Sequence, residues 1–176
     1  MLRKLAVTAL IVILGIINWS IFSKEQQLHD GQIVYLQLAP VDPRSLMQGD
    51  YMALRFTVAE QIYHALPKKE KHSSWTHDLP ASDGYVVVSL DNKNIASYRR
   101  LYQQQPSENS ERLLHYRVRN GAVKFASNAF FFQEGDGKLY SSAHYGQFRV
   151  SKEGELLLAG LFDKALNKLP IETEQE

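Results

Sequence analysis

From Leu5 to Phe22 the chain runs for about eighteen residues without a charged side chain, the length a helix needs to cross a hydrocarbon layer of roughly 30 Å. No other feature limits the fold as much, because such a stretch must lie in lipid, be removed as a signal peptide, or be wrapped by a core. Asn18 and Ser20 weaken its distal end, while Trp19 suits the membrane–water boundary. Arg3 and Lys4 precede it. A signal peptide would share that basic start but would end in a small-residue cleavage site of the Ala-x-Ala type, and none follows Phe22. Residues 1–24 are therefore expected to be a retained anchor. The basic residues ahead of the span, set against Lys24 and Glu25 behind it, favour a cytoplasmic N-terminus in the inner (cytoplasmic) membrane, with everything after Lys24 periplasmic or extracellular.

The chain has 176 residues, 44% of them hydrophobic, which leaves room for one domain of ordinary core size after the anchor. That domain is expected over residues 25–168, followed by an acidic tail over residues 169–176. A net charge of +1 marks no nucleic-acid partner, and the lack of cysteine removes disulfides, thiolate catalysis and cysteine metal sites. Ser23 to Asp30 reads as a polar juxtamembrane linker. Ile33 to Leu38 is a strand-like run ending at Pro40, and Val58, Ile62, Ala65 and Leu66 recur at helical spacing, so a helix capped by Thr57 and stopped by Pro67 is expected. Lys68 to Asp83 reads as a solvated loop.

Beyond that loop, short apolar runs alternate with turn signals. Tyr85–Leu90 and Ile95–Tyr102 flank the Asn-rich stretch 91–94. Leu113–Arg119 and Ala122–Ala126 flank Asn120-Gly121, the strongest short-range hairpin signal in the chain. Ala129–Gln133, Leu139–Ser142, Gly146–Val150 and Leu156–Phe162 are further strand candidates, and Lys164 to Glu176 loses the pattern. The expected fold is a mainly β single domain, closed or sandwich-like, with one or two short helices and one N-terminal transmembrane helix.

One stretch organises the domain, Asp42 to Phe56. Its first part, Asp42 to Gln48, reads as a helical turn with Asp42 capping, Pro43 at the first position and Gly49 ending it, followed at once by a strand from Tyr51. The residues Gly49-Asp50-Tyr51, Leu54 and Phe56 resemble the signature of the GDYXXLXY family, with Phe56 where the motif has its last tyrosine. Asp42-Pro43-Arg44-Ser45-Leu46 and Tyr145-Gly146-Gln147-Phe148-Arg149-Val150 also resemble family segments. The resemblance implies a membrane-anchored protein without an established biochemical activity, in a family of which some members are associated with multi-spanning membrane proteins. Asp42, Arg44, Gly49, Asp50, Tyr51, Leu54, Phe56 and Arg99 are the candidate binding or motif residues. Asp42 and Asp50 also have structural readings as caps of turns. Arg44, in a tight turn without an obvious packing role, is either paired with a carboxylate such as Asp50 or presented to a partner.

A weaker similarity links Ser45 to Asp50, a following strand, and Tyr98-Arg99-Arg100 to signal-peptidase-like Ser/Lys proteases, with Arg99 where those enzymes place the lysine base. A guanidinium stays protonated, so it cannot activate Ser45, and a degenerate, inactive domain of that kind is the alternative to an accessory module. Among the six histidines, His72 and His77 match no metal spacing, so neither a metal nor a cofactor is expected. Phe130-Phe131-Phe132 must alternate across a strand, so Phe131 is expected to face away from its two neighbours, and left uncovered it would be a contact site. The functional expectation is a non-enzymatic accessory or interaction module for a multi-spanning membrane protein of the envelope, with a small envelope-ligand binder as a further alternative.

Overall fold

The computed structural model describes residues 2–39, 47–48, 51–67, 79–103, 110–127 and 129–170. Helix α1 (Leu2–Asp30) leads into β1 (Gln32–Gln37), β2 (Met47–Gln48) and β3 (Tyr51–Ala53). Helix α2 (Thr57–Ala65) follows, then β4 (Ser82–Leu90), β5 (Ala96–Leu101), β6 (Glu111–Arg119), β7 (Ala122–Lys124) and β8 (Ala129–Phe131). A 3-10 turn at Asp136–Tyr140 precedes β9 (Tyr145–Val150), β10 (Leu156–Phe162) and β11 (Lys168–Leu169). The result is the expected mainly β fold, with strands in three sheets ordered β1-β9-β10-β11, β2-β3-β8 and β5-β4-β6-β7.

Each sheet forms where its inward positions are apolar. Along β1, Val34 and Leu36 are buried while Gln37 is exposed, and Leu38 bridges to Phe56 just past the strand end. Strand β4 is covered on both faces at Val86, Val87 and Val88, all fully buried, which is why it reads as a continuous apolar run. The Asn-rich turn places Asn94 at φ 60°, and Asn120 and Gly121 take φ 53° and 71°, the left-handed pair that joins two strands tightly. Arg119 pairs with Ala122 across that turn. The sheets share one core in which Val34, Leu54, Phe56, Ile62, Leu114 and Phe148 meet.

Several expectations are corrected. Met47–Gln48, read as the end of a helical turn, is instead a strand pairing antiparallel with Tyr51–Met52, so its backbone groups serve a cross-strand partner. Residues 40–46, 49 and 50 lie outside the described residues. Ser23 to Asp30 is not a linker: its Lys, Glu, Gln and Leu residues are good helix formers, and α1 continues through them to Gly31. Thr57 does not cap α2, because Phe56 occupies the capping position with its ring in the core, and the buried Thr57 Oγ1 has no hydrogen-bond partner among the described residues. Leu139–Ser142 is the end of the 3-10 turn, entered by Gly135 at φ 92°, and not a strand. The pattern also persists past Lys164, because Lys168–Leu169 pairs with Leu161–Phe162 and buries Leu169. Residues 171–176 lie outside the described residues.

The register gives the domain two ends. Helix α1 stops at Asp30, next to the end of the β1/β9 pair where Gln32 meets Val150, while Gln37 meets Tyr145 at the far end. Leu38, Phe56 and the β2–β3 hairpin follow from that far end.

Candidate functional site

The sheet β2-β3-β8 carries the motif. Tyr51 stands directly opposite Phe131, Met52 opposite Phe130 and Ala53 opposite Ala129. Alternation then sorts the aromatics. Met52 is buried, and Phe130 and Phe132 pack on the Tyr140 ring with centroids 5.0 and 5.4 Å away. Phe131 points the other way, remains 74% exposed and meets the Tyr51 ring at 5.8 Å. An outward phenylalanine with its ring tilted 41° against a tyrosine makes a small apolar platform with a polar edge, the kind of surface that favours contact over solvation.

Past β3 the motif turns inward. Leu54 and Phe56 are both buried, and the Phe56 ring lies edge-on to Phe148 at 5.4 Å and Phe125 at 6.0 Å. Gly146 makes this possible, since a Cβ there would stand 3.0 Å from Phe56 Cε1 and 3.3 Å from Phe148 Cε2. The two sequence segments 51–56 and 145–150 thus meet in the core. The same β9 segment reaches both ends of the domain: Gln147 Nε2 donates to Tyr35 Oη at 2.7 Å, and Arg149 Nη1 donates to the Gly31 carbonyl at 3.1 Å, beside the end of α1.

Of the residues singled out in the sequence, Asp42, Arg44, Gly49 and Asp50 lie outside the described residues, as do Ser45, His72 and His77. Tyr51 is half-buried at the surface, and Leu54 and Phe56 are core. Arg99 sits elsewhere, exposed on β5 in a different sheet, where the β4–β5 register shifts between its neighbours Tyr98 and Arg100. Its neighbour Arg100, half-buried, is held by both carboxylate oxygens of the buried Glu111. Among the described residues no cluster of His, Asp or Glu is arranged to hold a metal ion. Phe131 was accessible to sequence reasoning through alternation, but its partner Tyr51, far away along the chain, was not.

The model of the GDYXXLXY protein family matches residues 13–161. The chain belongs to the GDYXXLXY family. The matched region takes in most of α1 and the sheets down to β10, and with them the buried Leu54 and Phe56 and the half-buried Tyr51 of the signature. No curated protein and no solved structure matches the chain.

Proposed function

We propose that this GDYXXLXY protein is a membrane-anchored, non-enzymatic accessory module that binds an integral membrane protein of the envelope through the Tyr51–Phe131 face. The observation that carries the reading is Phe131, 74% exposed and in ring contact with Tyr51 of the family motif, where burial against a partner would recover roughly 1.5–3 kcal/mol. The helix supports the anchoring half. Val7–Asp30 is long and apolar enough to cross a membrane, and its most apolar window is unburied by the domain. Arg3 and Lys4 ahead of it support an N-terminus in the cytoplasm and a domain in the periplasm or outside.

The test is capture of the tagged full chain from native membranes in mild detergent, comparing wild type with Phe131→Asp. We expect one multi-spanning protein at near-equal amount with wild type, reduced by about tenfold or more in the variant, at an unchanged melting temperature. Equal recovery by both would overturn the assignment of the contact face.

A further inference from the structure

A second feature lies at the opposite end of the domain, where α1 joins it. Gln27 Nε2 donates to the carbonyls of Arg149 at 3.1 Å and Glu155 at 2.8 Å, bridging the helix to β9 and to the residue just before β10. Gly31 closes the junction. Its N–H donates to the Gln27 carbonyl at 2.9 Å, and a Cβ there would collide with that oxygen and crowd Arg149. The helix end and the hairpin turn are thereby held apart at a set spacing, with a cleft of about 850 Å³ between them.

The lining of the cleft is charged and of mixed sign. Lys24, Arg112 and Lys152 supply cations, and Asp30, Glu153 and Glu155 supply carboxylates, the last already in contact with His115 Nδ1 at 2.9 Å. Arg112 is anchored by donating from Nε to Gln32 Oε1 and from Nη1 to the Glu111 carbonyl at 2.7 Å. Lys24, Asp30, Lys152 and Glu153 are exposed. Depth along the helix matters too. Uncharged sequence ends at Phe22 and Ser23, so Lys24 stands ~3 Å and Asp30 ~12 Å beyond Phe22 at 1.5 Å per residue. The lipid headgroup layer extends roughly 5–8 Å past the hydrocarbon. Lys24, at the lower end of the cleft, is therefore level with phospholipid headgroups, and Asp30 stands just above them.

We propose that this cleft binds the headgroup of a zwitterionic aminophospholipid, with Lys24 and Lys152 facing the phosphate and Asp30 and Glu153 facing the primary ammonium. The inference rests on the reading of α1 as a membrane span and is independent of the Tyr51–Phe131 face. The chemistry selects among headgroups. A primary ammonium donates three hydrogen bonds to carboxylates, whereas a trimethylated one donates none. A headgroup with only a phosphate and hydroxyls leaves the carboxylates of the cleft facing net negative charge.

The experiment uses the full chain with vesicles, followed by native mass spectrometry of the protein released in mild detergent. Vesicles contain phosphatidylcholine with equal parts of phosphatidylethanolamine and phosphatidylglycerol. We expect one phosphatidylethanolamine retained per chain, at least fivefold over either competitor. The double variant Asp30→Asn/Glu153→Gln should lose that preference. Lys152→Met should lower retention at least threefold, and Lys138→Met, an exposed lysine in the distal 3-10 turn, should change nothing. All four side chains are exposed, and retention is read per folded chain, so a small loss of stability from the Ser151–Glu153 hydrogen bond leaves the comparison valid. Flotation with vesicles but equal retention of the three lipids would overturn the inference alone. Failure to float with any vesicle would overturn the membrane-span reading and this inference with it.

Discussion

Phe56 and Phe131 show how one side chain type serves two ends within a single sheet region. Phe56 is fully buried against Phe125 and Phe148, so Phe56→Ala is expected to cost about 3–5 kcal/mol in chemical unfolding. Phe131→Ala is expected to stay within about 0.5 kcal/mol of wild type, as exposed positions do. If both cost the same, the placement of Phe56 inside the core and of Phe131 outside it would be wrong. Gly146→Ala should cost about 1–3 kcal/mol, because the new methyl meets two rings that cannot both withdraw.

Titration adds a second residue-scale expectation. Burial pushes the Tyr116 phenol above its ordinary value, with the nearby Tyr98 adding to the effect. Its hydroxyl lies where only a glycine fits, since a Cβ on Gly84 would stand 2.6 Å away. The folded state therefore holds its proton more tightly than the unfolded chain, so this contribution is complete below pH ~10 and is lost as pH rises further. The Ser151 hydroxyl holds Glu153, and the Asn167 side chain holds Asp163, below the usual carboxylate range. Their contributions have the opposite sign: present above pH ~4–5 and lost as pH falls. In melting curves across pH, Tyr116→Phe should flatten the alkaline limb and Asp163→Asn the acid limb. Unchanged limbs would remove these groups from the linkage.

At the scale of elements, what could be read locally was read well. Asn94, Asn120 and Gly121 take the positive φ that their turn sequences demand, and each joins strands adjacent in the chain. Replacing Asn120-Gly121 by Ala-Ala is expected to destabilise the β6–β7 hairpin by about 1–2 kcal/mol, since neither alanine accepts that backbone without strain. Met47–Gln48 was ambiguous for a physical reason: two residues carry no periodicity, and only the cross-strand pairing of Gln48 with Tyr51 decides. Strand β11 was illegible because two residues carry no periodicity, and its hydrogen bonds come from β10. The polar composition of Ser23–Asp30 is as compatible with a linker as with a helix, and the lack of a helix breaker before Gly31 is what lets α1 continue. The site was half legible. Alternation exposed Phe131, but neither its pairing with Tyr51 nor the Gln27 clamp between residues more than a hundred positions apart leaves a mark in local sequence.

At the scale of the whole molecule, the β1–β9 pair connects the helix end to the motif end. Gln32 and Val150 stand beside Asp30, Gln37 and Tyr145 stand toward the β2–β3 hairpin, and Gln27 and Arg149 tie α1 to the same β9 segment whose Gly146 receives Phe56. The Tyr51–Phe131 face is thereby carried on a continuous, hydrogen-bonded frame instead of a tether. The most direct measurement places a photo-crosslinking benzoylphenylalanine at position 131 and, separately, at exposed position 99 in another sheet, with irradiation of intact membranes. We expect position 131 to give one discrete adduct with an integral membrane protein and position 99 to give none. Adducts from both positions alike, or none from 131, would contradict a partner surface at the motif.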